Sequence, residues 1–279
     1  MYGTESERQQ RAIAVAQSIA GRYGIDAGHP TILQDSNHTV IHLAPAPLVA
    51  KVSTSPEVAS LTDEVMIAQF LVSMDGPVVP PTSLLPPGPH LEHGLEVSFW
   101  EYCSHDSGEP SPNVLGGSLR RLHDVLDGYS KPLRAWDRFD GIAGVLEASS
   151  TLQALPVDDR RFLQARYQEL LSAIGSFCPA IRPLHGEPHG GNLLLSPHGP
   201  RWIDFESACL GPQEWDLTVL PDEVAARYFE GIDWNLLRLL RQMRSLCVAV
   251  WCWVDPDRAP VLRQAGTYHL ALLKGLNGS

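Results

Sequence analysis

His185-Gly186-Glu187-Pro188-His189-Gly190-Gly191-Asn192, followed by Arg201-Trp202-Ile203-Asp204-Phe205-Glu206, is the most informative part of this chain. Between the two segments, Leu193-Leu194-Leu195 is a short apolar run and Ser196-Pro197-His198-Gly199-Pro200 is dense in turn formers. Trp202-Ile203 then resumes an apolar strand, so the order predicts a hairpin. Such a hairpin folds Asp204 back toward Asn192, where one divalent ion could take an oxygen from each. Glu187 stands just upstream as a candidate base.

The spacing is that of phosphoryl transfer from a nucleotide. Kinase catalytic loops read H-x-D-x-x-x-x-N, in which the acid orients a substrate hydroxyl and the Asn holds magnesium. A downstream Asp-Phe pair supplies the second ligand. His185, Glu187, Asn192 and Asp204 keep these offsets, with Glu in place of Asp. A zinc deaminase also opens on H-x-E, but it needs a later P-C-x-x-C. Cys103, Cys178, Cys209, Cys247 and Cys252 form no C-x-x-C pair, and no H-E-x-x-H helix occurs.

Upstream, Glu7 to Tyr23 reads as a helix with Ile13, Ala16, Ile19, Ala20 and Tyr23 on one face, ending near Gly24. Thr31-Ile32-Leu33 and Val40-Ile41-His42-Leu43 read as strands around a polar turn, Gln34 to Thr39. Leu48-Val49-Ala50-Lys51-Val52 is a strand with one charge inside it, and such a lysine must find a partner or point into a cleft. Leu61 to Val72 reads as a helix whose Glu64 is the chosen partner for Lys51, with Glu57 and Asp63 as alternatives. After the proline-rich connector Pro77 to Pro89, a strand ends in Glu101-Tyr102-Cys103, whose backbone groups are placed for a purine edge.

Beyond Ser104 the leucine spacing is helical: Leu115 to Leu126, Leu163 to Ile174, Asn235 to Val254 and Val261 to Leu276. His123 lies on an apolar face and reads as a packed core histidine. The expected fold is α+β: residues 1–101 a small antiparallel-sheet N-lobe that binds nucleotide phosphates, residues 102–279 a larger, mainly helical C-lobe with the catalytic loop and acceptor pocket, and a cleft between them.

Composition narrows the partners. With 21 Lys and Arg against 32 Asp and Glu the net charge is −11, and no basic cluster is present, so nucleic acid is not expected. That acidity suits a cationic small molecule, or serves solubility alone. The first residues are polar, and the longest apolar run, Leu246 to Val254, is too short to span a bilayer, so no membrane association is expected. Five cysteines without paired spacing fit reduced thiols and a cytoplasmic protein.

With Val49-Ala50-Lys51, the His185–Asn192 loop and Ile203-Asp204-Phe205-Glu206 in hand, the chain resembles the aminoglycoside phosphotransferase family, related to choline and homoserine kinases. The resemblance runs from Lys51 to the helices after Asp216. It implies a protein-kinase-like two-lobed fold, ATP or GTP as donor, Mg2+, and a hydroxyl on a small acceptor. By position, Lys51 would contact the α- and β-phosphates and Glu64 would hold Lys51. Glu187 would take the catalytic acid position with His185 bracing the loop, Asn192 and Asp204 would bind metal, and Asp216 would be structural. Ser36 and Asn37, with His38, would face the phosphates in a turn that has no glycine, and Glu101, Tyr102 and Cys103 would meet the purine.

Two further expectations follow. About a dozen residues separate Asp204 from Asp216, too few for the segment on which protein kinases seat a peptide. The acceptor is therefore small, with Glu206, Glu214 and Asp222 as candidate contacts for a cationic antibiotic. Glu187 carries one methylene more than Asp, so the acceptor sits further out or turnover is slow, since about an ångström of misplacement costs on the order of a hundredfold. The alternatives are a weakly catalytic nucleotide-binding protein and a metabolic kinase for choline, an amino alcohol or a sugar.

Overall fold

The computed structural model describes residues 5–35, 38–53, 61–136, 139–148, 152–254 and 260–275. In chain order the first elements are α1 (Glu5–Arg22), β1 (His29–Asp35), β2 (His38–Ala44), β3 (Leu48–Ser53), α2 (Leu61–Ser73), β4 (His90–Glu92), β5 (Leu95–Glu101) and α3 (Pro112–Leu126). Then come α4 (Asp140–Glu147), α5 (Val157–Gly175), β6 (Ile181–Leu184), β7 (Leu193–Ser196), β8 (Gly199–Trp202) and β9 (Cys209–Pro212). The last are α6 (Gln213–Leu217), α7 (Asp222–Tyr228), α8 (Trp234–Trp253) and α9 (Pro260–Gly275). The fold is α+β, with an antiparallel five-stranded sheet in the N-terminal part and a helical C-terminal part. Two compact units divide the chain: residues 1–132 with 185–208, and residues 133–184 with 209–279.

In the first unit the sheet order is β1-β2-β3-β5-β4, so β3 lies in the middle with a ladder on each side. Side chains alternate across a strand. Leu48, Ala50 and Val52 therefore join the core under α1, with Ile41, Leu43, Val97 and Phe99. Val49 and Lys51 fall on the opposite face. Helix α1 buries Ala12, Val15, Ala16, Ile19 and Ala20, the i, i+3, i+4, i+7, i+8 stripe. The expected Tyr23 is not part of that stripe: the helix stops at Arg22 and Tyr23 is exposed. Gly24, with φ +73°, makes the left-handed turn that ends it.

The hairpin of β7 and β8 forms as the turn chemistry predicts, pairing Leu193 with Trp202 and Ser196 with Gly199. It docks on the proline-rich connector, where Trp202 N–H donates to Pro77 O (2.7 Å) and Val79 N–H to Trp202 O (3.0 Å). Trp202 is fully buried as a result, and burying a side chain of this size contributes at least about 2–3 kcal/mol. In α3 the Ser111 side chain caps the N-terminus, and His123 is fully buried on the apolar face, as its position predicts.

The second unit packs α5 and α8 through Leu163, Tyr167 and Leu170 against Leu236, Leu240 and Met243. Asp233 caps α8 by accepting from the N–H groups of Asn235 and Leu236, each at 3.0 Å. Strands β6 and β9 form a separate antiparallel pair. Their short apolar segments carry no turn signal and were not expected from the sequence. Among the described residues, no helix is long and apolar enough to cross a membrane.

Candidate active site

A cavity of about 470 Å³ lies in the first unit, and its wall includes Lys51, Glu64, Glu187, Asn192, Asp204 and Glu206. Lys51 is the central group. Its ammonium donates to Glu64 Oε2 (2.8 Å) and Asp204 Oδ1 (2.7 Å), with Glu206 Oε2 at 3.8 Å. Burial alone would lower the basicity of Lys51, but the fields of Glu64, Asp204 and Glu206 outweigh it and hold the ammonium well above the usual lysine range. Of the three acids considered for Lys51, Glu64 is the partner; Glu57 lies outside the described residues. Glu64 is buried in the first turn of α2, and its Oε1 accepts the Phe205 N–H (3.2 Å). One carboxylate thus ties the lysine to the backbone that carries Asp204.

Asp204 sits at φ +67°, ψ +66°, a left-handed conformation unusual for a residue with a Cβ. Such strain costs on the order of 1–3 kcal/mol and persists only where the surroundings over-determine it. Here Lys51 grips one oxygen, and Ile203, the residue before, donates its N–H to Asn192 O (3.0 Å). The hairpin register therefore brings Asp204 beside Asn192. Asn192 donates Nδ2 to Glu187 O (3.0 Å), which turns its amide oxygen away from that carbonyl.

Asn192 Oδ1 and Asp204 Oδ2 accept no hydrogen bond among the described residues. Two hard oxygen donors, with phosphate and water completing the shell, is the donor set magnesium prefers. One ammonium among three carboxylates also leaves surplus negative charge, which a divalent cation would offset. These residues fit Mg2+. Among the described residues no cluster of three or more His, Cys, Asp or Glu suited to a metal occurs.

His185 is fully buried and joins the two halves of the motif. Its Nε2 is 3.1 Å from Ile203 O and its Nδ1 is 3.3 Å from Glu187 N. A carbonyl only accepts and an amide N–H only donates, so the ring carries its proton on Nε2. The ring packs against Trp202 and Phe205. Gly186 makes the close turn before Glu187 at φ +87°, where a Cβ would stand 2.1 Å from Ser207 O. Only glycine fits there. Glu187 is half-buried on the cavity wall.

At the other end of the cavity, Glu101 N–H donates to Pro80 O and Tyr102 N–H to Pro47 O, both at 3.0 Å. Of the three N–H groups expected to meet a purine, the one with no hydrogen bond among the described residues is Cys103. Val40 and Val49 on the sheet side and Leu194 and Ile203 on the hairpin side supply apolar walls. Ser36 and Asn37 lie outside the described residues. His38 lines the cavity, buried, with Nε2 2.5 Å from Glu206 Oε2.

The remaining candidates belong to the second unit. Glu214 is buried and accepts the Asp233 N–H (2.9 Å), while Asp222 pairs with Arg241 (2.5 Å). Asp216 is fully buried. The residues that sequence reasoning passed over are His38 as the partner of Glu206 and Gly186 as an obligate glycine. A positive φ could have been suspected from the glycine, but the His38–Glu206 pair leaves no local signal.

The sequence profile of the phosphotransferase enzyme family (APH) matches residues 34–246. No curated protein matches the chain. Among solved structures, a choline/ethanolamine kinase family protein from Mesorhizobium loti aligns with 98% of this chain and 95% of its own, at TM-score 0.67 and 17% identity. An amicoumacin kinase in complex with AMP-PNP, Ca2+ and Ami aligns over 99% and 96%, at TM-score 0.73 and 13% identity. A spectinomycin phosphotransferase in complex with ADP and spectinomycin aligns over 94% and 93%, at TM-score 0.66 and 15% identity. These likenesses cover nearly the whole of each chain.

Proposed function

Because the chain belongs to the phosphotransferase enzyme family and is a small-molecule kinase, we propose that it moves the γ-phosphoryl group of ATP or GTP to a hydroxyl of a cationic small molecule, an aminoglycoside-like antibiotic in the first instance. The observation that carries this reading is the buried Lys51 bonded to both Glu64 and Asp204, on the same cavity wall as Glu187 and Asn192. Lys51 neutralises charge on the α- and β-phosphates, and Glu64 keeps its ammonium aimed. Glu187 accepts a hydrogen bond from the acceptor hydroxyl and takes its proton late, as bond formation lowers the pKa of that proton. His185 holds the Glu187 backbone against the Asp204 strand, so that base and phosphate stay in register. Mg2+, held by Asn192 and Asp204, would supply charge neutralisation at the transferring phosphoryl group.

The purine is read by the Cys103 N–H and neighbouring carbonyls. Cationic acceptors are favoured by the carboxylate excess around Lys51 and by the similarity to antibiotic kinases. The similarity to a choline/ethanolamine kinase family protein supports amino alcohols as a second acceptor class. The deciding experiment measures nucleoside diphosphate release with ATP or GTP and Mg2+ across a panel of aminoglycosides, other hydroxylated antibiotics, choline, amino alcohols and sugars. The expected result is acceptor-dependent release that is lost in Asp204→Ala. Release that no acceptor stimulates, or that survives in Asp204→Ala, would overturn the proposal.

A further inference from the structure

Strand β5 ends at Glu101 and runs into a connector, residues 102–106, that is pinned at both ends. Tyr102 N–H donates to Pro47 O and Asp106 N–H to Leu195 O, both at 3.0 Å. The Tyr102 ring also stacks on His42, with centroids 3.8 Å apart and planes 10° apart. Backbone polar groups point alternately to the two sides of an extended chain. Tyr102 faces β3 through Pro47, so Glu101 and Cys103 turn their N–H and C=O groups the other way. Glu101 N–H donates to Pro80 O, but Pro80 has no N–H with which to return the bond. Glu101 O thus accepts no hydrogen bond among the described residues, and Cys103 N–H donates none there. Cys103 O is the engaged group, since His105 Nδ1 lies 2.9 Å from it. A carbonyl only accepts, so this ring nitrogen carries the proton. His105 is exposed, yet it lines the cavity beside Cys103.

We propose that His105 is a specificity-determining residue for the base of the nucleotide donor: by engaging Cys103 O it makes the connector favour adenine over guanine. With that carbonyl taken, the edge offers one acceptor, Glu101 O, and one donor, Cys103 N–H. Adenine presents the complement, an amine that donates at N6 beside a ring nitrogen that accepts at N1. Guanine presents the reverse, an accepting O6 beside a donating N1–H. Placed as adenine is, guanine sets O6 against Glu101 O and N1–H against Cys103 N–H, acceptor on acceptor and donor on donor. Shifted so that O6 meets Cys103 N–H, it needs Cys103 O for N1–H, and the imidazole already donates to that oxygen. Either placement leaves desolvated polar groups poorly matched, which is how a hydrogen-bonding site rejects the wrong ligand. His105 acts through Cys103 O and needs no contact with the phosphates.

This assignment rests on the nucleotide-binding reading above, and its test separates the two. Affinities of non-hydrolysable ATP and GTP analogues with Mg2+ are measured by calorimetry for the wild type, His105→Ala and His105→Asn. The two analogues carry the same phosphates, so their affinity ratio reports the base alone. His105 is exposed, so both variants are expected to fold. In the wild type the ATP analogue should bind at least about tenfold more tightly. In His105→Ala that ratio should fall roughly fivefold, chiefly through tighter binding of the GTP analogue to the released carbonyl. His105→Asn keeps an N–H donor near the position of Nδ1 and should restore part of the ratio. Equal affinities in the wild type would overturn the proposal, as would a ratio unchanged in His105→Ala. Equal weakening of both analogues in that variant would make His105 a mere wall of the cavity and overturn it too. A wild type that binds neither analogue would remove the nucleotide reading itself, and the role of His105 with it.

Discussion

Replacing Lys51 by methionine keeps the length of the side chain and removes its charge. Lys51 is 7% exposed and Glu64 2%, so solvent cannot step in to screen what remains. At 2.8 Å and an effective dielectric of about 20, the lysine–glutamate attraction alone is ~6 kcal/mol in gross terms. Desolvation offsets much of that in the intact pair, but removing one partner leaves the other buried and uncompensated, a loss of about 3–5 kcal/mol. For a chain of this size that corresponds to a fall in Tm on the order of 10 °C. The Lys51 ammonium is held above its ordinary range, so its contribution is fully present below the unfolded value of about 10.4 and fades only as pH climbs through the raised folded value. The difference in Tm between wild type and Lys51→Met should therefore be the same at pH 7 and pH 9. Adding Glu64→Gln to Lys51→Met removes the stranded charge and keeps an oxygen for the Phe205 N–H. The double variant should recover at least half of the lost stability while remaining unable to bind nucleotide. Differential scanning calorimetry and nucleotide titration on the same samples provide the assay. A Lys51→Met protein as stable as the wild type, or a double variant with no recovery, would refute the reasoning.

Other perturbations probe the neighbouring groups. Gly186→Ala forces a Cβ to within 2.1 Å of Ser207 O at φ +87°, so a Tm fall of several degrees and loss of turnover are expected; a wild-type melting curve would show that the turn relaxes freely. Glu187→Gln should leave nucleotide affinity within about twofold but lower kcat at least tenfold, and steady-state kinetics with any acceptor found in the screen decides it. Glu187→Asp tests the extra methylene, with KM for the acceptor expected to move more than KM for the nucleotide. Burial would raise the Asp35 carboxyl, but hydrogen bonds from Gln9, Arg8 and Thr39 outweigh it and lower the pKa below 3.8. Its stabilising contribution is thus present above that value and lost as pH falls through the lowered one. The Tm gap between wild type and Asp35→Ala should hold from pH 7 to 5 and close below pH 4.

The elements that were legible in the amino-acid order are those whose cause is local. Gly199 and its neighbours announce the β7–β8 hairpin, the leucine spacing announces α3, α5 and α8, and the charge inside Leu48–Val52 announces that Lys51 needs a partner. The short strands β6 and β9 and the five-residue α6 carry too few residues to show a period. Helix α1 and its end near Gly24 are legible from local signals, but Tyr23 is exposed and does not share the buried face, because it lies past the last helical residue, Arg22.

The order of residues sets the chemistry on offer: an acid, an amide and a second acid at fixed offsets after His185, and one lysine inside an apolar strand. Tertiary structure alone decided which groups meet. Lys51 and Asp204 are 153 residues apart and bond at 2.7 Å, Glu64 is the acid that reaches that lysine, His38 finds Glu206, and residues 185–208 fold with residues 1–132. The physical reason is that hydrogen-bond periodicity and turn preference act over a few residues, whereas charge pairing and burial act through space. Both partners of a long-range pair look like ordinary polar residues until the chain has closed around them.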